Sequence, residues 1–227
     1  NTWAGELNPN GSTFIGLNAG KSTTGTGNTA MGAGSLDSNA TGVKNTAIGY
    51  HSLYNNKYDE NTAIGAECLY SNVFGYYNVG VGNQSLYSND NGHYNTAVGY
   101  KSLFSNLGGT YNTASGYQSL YSNTYGEDNV AIGDGCLYNN LADNNTAIGS
   151  SSLYSNTTGT LNTGAGVGAL AANTTGNDNT GTGGLCLSSN TTGNGNTSSG
   201  YLSLYNNTTG DYNSAFGYGA QAGLNSL

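Results

Sequence analysis

Residues 45–50 read N-T-A-I-G-Y, and the same pattern returns at a nearly fixed distance along the chain. The Asn that opens the motif, position 0, occurs in twelve copies, and nine of the eleven intervals between them are seventeen residues and two are sixteen. A degenerate copy begins at Ser12. A short fixed period predicts a stack of similar structural units. The twelve copies begin at Asn28, Asn45, Asn61, Asn78, Asn95, Asn112, Asn129, Asn145, Asn162, Asn179, Asn196 and Asn213.

Four positions of the motif are nearly invariant. Position +4 is Gly in all twelve copies, and positions +8 and +11 are Leu and Asn in all eleven complete copies. Position +14 is Gly in nine of these eleven copies. The two exceptions are the sixteen-residue units, in which this segment is residues 57–60 (K-Y-D-E) and residues 141–144 (L-A-D-N). Because the deletion and the loss of Gly coincide, we expect a turn with positive φ in the long units and a tighter turn in the short ones.

A unit of this length is too short for two helices but long enough for two short strands and two turns. Positions +1 to +3 and +7 to +9 both alternate in side-chain character, which is typical of strands. The sequence therefore predicts an all-β fold, a parallel β-solenoid (β-roll or β-helix) of about thirteen coils of 16–17 residues each. Residues 1–11 are predicted to form an N-terminal cap or joining segment, and residues 12–227 a single solenoid domain.

The alternation also predicts which side chains face inward. We expect Leu at +8, the aliphatic residue at +3 and Thr at +1 to point into the coil. The small residues at +2 and +7 would then face outward and form a flat lateral interface with sister chains, unless a corner breaks the alternation and buries them. Because +3 becomes Ala165, Thr182 and Ser199 near the C-terminus, the core is expected to weaken there.

Stacked coils place equivalent residues above one another, so the invariant positions predict structural ladders. For Asn, two interpretations stay open: an amide ladder that bonds from coil to coil, or a residue chosen only for turn geometry. The predicted ladder residues are Asn45, Asn61, Asn78, Asn95 and Asn112 at position 0, Leu53, Leu69, Leu86, Leu103 and Leu120 at +8, and Asn56, Asn72, Asn89, Asn106 and Asn123 at +11.

Tyr is the third repeated feature, with 19 copies in the chain. Most coils carry an aromatic residue at +9, and we expect these rings to form a column. Such a column is interpreted as a subunit interface or a stabilising stack, or as a surface that contacts a ligand. The candidate interface residues are Tyr54, Tyr70, Tyr87, Phe104, Tyr121, Tyr138, Tyr154 and Tyr205, together with the single Trp3.

Composition excludes several functional classes. The net charge is −8, with only four Lys or Arg, so nucleic-acid binding is not expected. No stretch is long and apolar enough for a membrane span. Neither His51 nor His93 has a nucleophile or a carboxylate at a repeated offset, and both are expected to be solvated at the surface. We therefore expect no enzymatic activity and neither cofactor nor metal.

The three Cys residues all occupy position +7, where Ser or Ala stands elsewhere. They lie three or four coils apart, which is beyond the reach of a disulfide. We therefore expect no intrachain disulfide between Cys68, Cys136 and Cys186.

The motif at 45–50, and the copy at 213–220 that reads N-S-A-F-G-Y-G-A, resemble the head repeats of trimeric autotransporter adhesins. The longer unit N-T-A-I-G-Y-x-S-L-Y-x-N-T-T-G is similar to repeats in bacterial and phage proteins of the tail-fibre type. The resemblance covers Ser12 to about Ala220. It implies a secreted, surface-attached or virion fibre, often a parallel homotrimer. The coil in this chain is longer than that of the adhesin heads.

The sequence thus predicts a structural subunit of an extracellular or cell-surface filament or fibre. It would assemble with copies of itself as a homo-oligomer, either a trimer or an end-to-end filament, through its ends or lateral faces. The alternative is an adhesin or tail-fibre shaft that binds surface glycans through its Tyr-rich face. Ice binding is disfavoured because the Thr at +1 is expected to face inward.

Overall fold

The computed structural model describes Glu6–Leu7 and residues 10–221, so the candidate residue Trp3 lies outside the described part. The chain falls into two compact units, Asn1–Asn112 and Thr113–Leu227. In each unit short parallel strands follow one another at the period of the sequence motif, one strand in each coil. Each unit is therefore a parallel β-solenoid, and the predicted fold class is confirmed.

In the described part of the first unit, strand β1 pairs antiparallel with β2, where Leu7 lies opposite Thr13. Strands β2 to β7 then pair parallel with their neighbours in order, so that position +1 of one coil lies beside +1 of the next. The strands are β1 (Glu6–Leu7), β2 (Thr13–Ile15), β3 (Thr29–Met31), β4 (Thr46–Ile48), β5 (Thr62–Ile64), β6 (Val79–Val81) and β7 (Thr96–Val98).

In the described part of the second unit, adjacent strands pair in parallel with the same register. This register places each motif position above its own copy, which produces columns of equivalent residues. The strands are β8 (Thr113–Ser115), β9 (Val130–Ile132), β10 (Thr146–Ile148), β11 (Thr163–Ala165), β12 (Thr180–Thr182), β13 (Thr197–Ser199) and β14 (Ser214–Phe216).

Each coil contains one strand rather than the two that the alternation predicted. The predicted second strand at +7 to +9 is a run of turns in which Leu at +8 has φ between 47° and 54° in every complete coil. The residue at +6 also has positive φ in many coils, as His51 does at 52°. Neighbouring coils still bond here, because Leu86 N–H donates to the Ser102 carbonyl at 3.0 Å. A left-handed Leu costs about 1–2 kcal/mol, which burial of its side chain offsets.

The inward and outward faces of the strand are the reverse of the prediction. Ala at +2 is fully buried, as Ala47 and Ala97 are, whereas the aliphatic residue at +3 lies on the surface. The residue at +1 also faces outward, half-buried or exposed. Position +7 is buried as well, as Ser52 and Cys68 are. The small residues at +2 and +7 therefore belong to the interior and do not form the predicted lateral interface.

The core of each coil is narrow. It contains Leu at +8, Ala or Gly at +2 and a small residue at +7, all shielded from water in most coils. Leu170, Leu187 and Leu204 are at most 1% exposed, so the Leu column continues to the last complete coil. The predicted weakening of the core toward the C-terminus is wrong, because the changes at +3 alter the surface and not the interior.

Candidate functional site: ladders and outward faces

The Asn residues at position 0 form a ladder that joins side chains to the backbone. In the middle of the first unit, Asn78 Oδ1 accepts a hydrogen bond from the backbone N–H of Asn95 in the next coil at 3.0 Å. Its Nδ2 donates to the carbonyl of Gly92, at +14 of its own coil, at 2.8 Å. Asn78 is fully buried. Each such amide therefore satisfies a backbone donor of the next coil and a carbonyl of its own coil.

The Asn residues at +11 form a second ladder beside the first. Asn89 Nδ2 donates to Asn72 Oδ1 at 2.6 Å, and Asn89 Oδ1 accepts from Asn106 Nδ2 at 2.7 Å. Asn89 Nδ2 also donates to the Gly92 carbonyl at 3.0 Å. The two ladders thus converge on the carbonyl at +14. The residues predicted at positions 0 and +11 are all fully buried, and the ladder interpretation is the one that the geometry supports.

Gly at +14 is required by space and not by φ. Gly42, Gly75 and Gly92 are not among the residues with positive φ. A Cβ at Gly92 would overlap Asn89 Oδ1 and lie 2.6 Å from the Gly109 carbonyl. The prediction of a positive-φ turn at +14 is therefore wrong. Close packing between the Asn ladder and the next coil explains this Gly.

The two short coils keep the same bonds at the shortened corner. In the first of them, the Tyr58 carbonyl takes the place of the Gly carbonyl and accepts from Asn45 Nδ2 at 2.8 Å and from Asn56 Nδ2 at 2.7 Å. The Ala142 carbonyl plays the same part in the second, with Asn129 and Asn140 as donors. One residue is lost from the turn, while the ladder continues.

The aromatic residues at +9 stack face to face within each unit. In the first unit, the ring centroids of Tyr54, Tyr70, Tyr87 and Phe104 follow one another at 5.2–5.3 Å, with interplanar angles of 6–8°. In the second unit, Tyr121, Tyr138 and Tyr154 are 5.0 and 5.1 Å apart. Each inner ring has a neighbour on both faces. The column therefore presents ring edges to a ligand, except where it is interrupted.

The column is interrupted after Tyr154, because +9 is Ala171 and then Ser188 in the next two coils before Tyr205 restores a ring. A depression of about 420 Å³ lies at this interruption. Its walls are Ser151, Tyr154, Ser155, Ala171, Ala172 and Ser188. The Tyr154 side of this depression is aromatic, and the remaining walls are small apolar or hydroxyl side chains.

The outward strand face is defined here as the residues at +1 and +3 of the strands. In the first unit its +3 column is aliphatic in every coil, and Met31, Ile64 and Val98 are 45%, 39% and 40% exposed. In the second unit, position +3 is Ile at Ile132 and Ile148. The next three coils have the small or polar residues Ala165, Thr182 and Ser199 at this position. Thr occupies +1 in most coils. This face is an array of apolar and hydroxyl columns.

A second aromatic column, which the sequence reasoning missed, lies at position −1. Tyr77, Tyr94 and Tyr111 stack at 5.3 and 5.1 Å, with interplanar angles of 13° and 2°. They stand at the motif period in the sequence, so the repeat could have revealed them.

The two His residues are half-buried in ring contacts and not solvated as expected. His51 stacks on Tyr50 at 3.8 Å, and His93 stacks on Tyr76 at 4.4 Å.

The three Cys residues are buried free thiols. Burial raises the pKa of the Cys68 thiol to about 12, and those of Cys136 and Cys186 to about 11. The thiolate, which is the reactive form, is therefore suppressed at neutral pH. The thiols fill space in the core as Ser or Ala does in other coils.

No family model, curated protein or solved structure matches the chain. Among the described residues, no helix is long and apolar enough to cross a membrane. Within the same part of the chain, no cluster of three or more His, Cys, Asp or Glu side chains is placed to hold a metal ion.

Proposed function

We propose that this chain is a structural subunit of an extracellular fibre and that it associates laterally with copies of itself. The association uses the outward strand face. The observation that supports this most directly is the unbroken aliphatic column at +3 in the first unit, which lies on the surface although the core has no need of it.

A contiguous column of exposed Ile, Val and Met is unusual on a protein that remains alone in water, and it marks an interaction surface. The column repeats at the spacing of adjacent strands, about 4.8 Å. A partner with the same spacing can contact every coil of this column. A second copy of this chain has that spacing because it consists of the same coils. The expected occupant is therefore another copy, aligned parallel and in register.

The resemblance to trimeric adhesin heads and tail-fibre repeats supports three copies around a common axis. Closed rotational symmetry would bury the outward strand face of every copy. The uniform columns and the low content of charged side chains, 7%, favour a structural role over catalysis. An extracellular or virion fibre is the setting that the resemblance implies.

Mass in solution, measured by light scattering after size exclusion, tests the lateral association. The wild type is expected to have the mass of a homo-oligomer, and negative-stain images are expected to show discrete rods or filaments. The double variant Ile64→Lys/Val98→Lys places two charges on the outward strand face and is expected to have the mass of one chain. A wild type with single-chain mass at all concentrations would refute the proposal.

Leu17→Lys is the matched control, because Leu17 is 73% exposed and lies at +5, beyond the strand. It adds a charge of the same sign to the same unit and is expected to leave the oligomer intact. Far-UV circular dichroism of all variants checks that they are folded. If Leu17→Lys dissociates the oligomer as fully as the double variant does, general charge rather than the strand face controls assembly.

Ice binding is a second candidate for the same face, because the Thr column at +1 faces outward and not inward. Regularly spaced hydroxyl and methyl groups on a flat surface can order water into a lattice. The column is interrupted by Val79 and Val130. Thermal hysteresis, measured on the size-exclusion fraction that has the mass of one chain, tests this candidate. A value no greater than that of a control protein at equal concentration would exclude it.

A further inference from the structure

The interrupted aromatic column in the second unit differs from the rest of the Tyr-rich surface in one respect. Tyr138 has ring neighbours on both sides, Tyr121 at 5.0 Å and Tyr154 at 5.1 Å. Tyr154 has a ring neighbour in the preceding coil, whereas the +9 residue in the following coil is Ala171. The column therefore leaves one face of Tyr154 next to the depression. This exposure matters because a ring that stacks on Tyr needs access to a face.

Two successive rings are missing from the aromatic column beside Tyr154. Ala171 and Ser188 replace two successive aromatic residues, and each ring in the column occupies about 5 Å along the stack. The depression of about 420 Å³ is shallow and open to solvent, so it has room for one ring against Tyr154 but does not enclose it. Tyr154 is 39% exposed. A flat ring that enters here continues the column at its natural spacing.

The chemistry of the walls favours one kind of ring. Ser151, Ser155 and Ser188 line the depression together with Tyr154, and Ala171 and Ala172 complete the lining. A pyranose ring presents C–H groups on its face and hydroxyl groups around its edge, so it matches a π face bordered by Ser. An aromatic guest would fill the same volume but would remove the Ser hydroxyls from water without replacing their hydrogen bonds.

We propose that this depression is a carbohydrate subsite, in which a pyranose ring of a surface glycan stacks on Tyr154 and is hydrogen-bonded at its edge by the surrounding Ser hydroxyls. None of its residues belongs to the outward strand face. The subsite thus goes beyond the proposed structural role, and binding and oligomerisation are separate measurements.

Ligand-observed saturation-transfer NMR tests the subsite on the full chain. The probes are the methyl β-glycosides of glucose and galactose and their 2-acetamido-2-deoxy analogues, with p-cresol as an aromatic probe. At least one glycoside is expected to receive saturation, strongest at the axial protons of one ring face. Tyr154→Ala is expected to weaken its binding about tenfold through loss of the stacking surface. If none of the four glycosides receives saturation, or if only p-cresol does, the proposal is overturned.

Ala171→Tyr is the decisive variant, because it supplies the ring that most other coils carry at +9. The new Tyr side chain would occupy the space beside Tyr154 that the sugar is proposed to enter. It is expected to abolish glycoside binding while the circular dichroism spectrum and the mass in solution stay as in the wild type. Tyr201→Ala is the control, since Tyr201 is an exposed Tyr at +5 that does not line the depression. Binding that survives in Ala171→Tyr, or that is lost equally in Tyr201→Ala, places the sugar elsewhere and overturns the assignment.

Discussion

Replacing Asn89 by Asp tests the +11 ladder with a change of one atom. Asn89 Nδ2 donates to Asn72 Oδ1 at 2.6 Å and to the Gly92 carbonyl at 3.0 Å. In Asn89→Asp an oxygen takes the place of this nitrogen and faces two acceptors. The bond that Asn89 Oδ1 accepts from Asn106 Nδ2 is retained. The variant therefore changes donor capacity and charge but hardly changes shape.

The expected loss of stability follows from the two lost donor bonds. Each buried acceptor left without its donor costs about 1–3 kcal/mol, so the free energy of unfolding is expected to fall by about 2–6 kcal/mol near neutral pH. The Gly92 carbonyl keeps its bond from Asn78, which favours the lower half of this range. Asn89→Ala loses these two bonds and also the one that Asn106 Nδ2 donates, but it introduces no charge. Its deficit is therefore expected to be independent of pH.

The pH dependence of Asn89→Asp separates charge from hydrogen bonding. Burial away from water disfavours the carboxylate, so the pKa of the introduced carboxyl group in the folded state is raised above the unfolded value of about 3.9. The folded state then binds more protons than the unfolded state above that value. Stability falls as pH rises from about 4 toward the raised pKa, by up to about 1.4 kcal/mol per pH unit. Acidification is therefore expected to recover part of the loss.

Urea unfolding followed by far-UV circular dichroism at about pH 4 and about pH 7 measures the effect. Asn91→Asp is the matched control, because Asn91 is exposed in the same coil. It is expected to change stability by less than about 0.5 kcal/mol. The reasoning fails if Asn89→Asp is as stable as Asn91→Asp at neutral pH, or if its deficit does not shrink on acidification.

Further substitutions and treatments test the packing of the coil. Gly92→Ala is expected to lower the free energy of unfolding by about 1–3 kcal/mol, since the new Cβ overlaps Asn89 Oδ1; an unchanged melting temperature would contradict this. Tyr70→Ala removes two stacked contacts, at 5.2 and 5.3 Å, and is expected to cost about 1–3 kcal/mol in urea unfolding, whereas Tyr70→Phe keeps both rings in contact and stays near the wild type. Cys68 is expected to resist a thiol reagent near pH 8 until denaturant is added, because burial raises its pKa to about 12; rapid labelling of the folded chain would show that the thiol is accessible. The same shift predicts that stability falls as pH rises from about 9 toward 12, measured by urea unfolding in alkaline buffers.

The period of the sequence was sufficient to predict the solenoid, because a column of identical residues forms whenever coils of equal length stack in parallel. The invariant Leu and Asn positions were recognisable for the same reason. Leu86 and Asn89 are both fully buried, as a strictly repeated residue in a narrow coil is expected to be.

The direction of the strand side chains was not predictable from hydrophobicity alone. By hydrophobicity, a strand with Ile at +3 and Ala at +2 is expected to bury the larger residue, but the interior opposite Leu has room only for the smaller one. At Gly80 a Cβ would lie 2.5 Å from Cys68 Sγ, which shows how little space remains. Since strand side chains alternate, choosing the wrong residue at one position reverses the whole face.

The run of turns after the strand was hidden for a different reason. The side chains at positions +7 to +9 alternate in character as those of a strand do. Leu86 has a φ of 52°, which its residue type does not predict. That conformation is unfavourable for Leu locally and is maintained by burial and by bonds between coils. The absence of a ring at +9 in the two coils after Tyr154 could be read from the sequence, as Ala171 and Ser188. That this absence opens a depression could be recognised only from the face-to-face stacking of the other rings.

The +11 ladder bonds join each Asn to the equivalent Asn of the next coil. The contacts of a coil therefore depend on its two neighbours and not on its position along the chain. Unequal recombination between repeats in the gene would add or remove whole coils, and every remaining amide would meet the same partner as before. The shortened corners at Tyr58 and Ala142 show where a change smaller than one repeat is absorbed. Length is thus a property that evolution can alter in this protein without having to find a new fold.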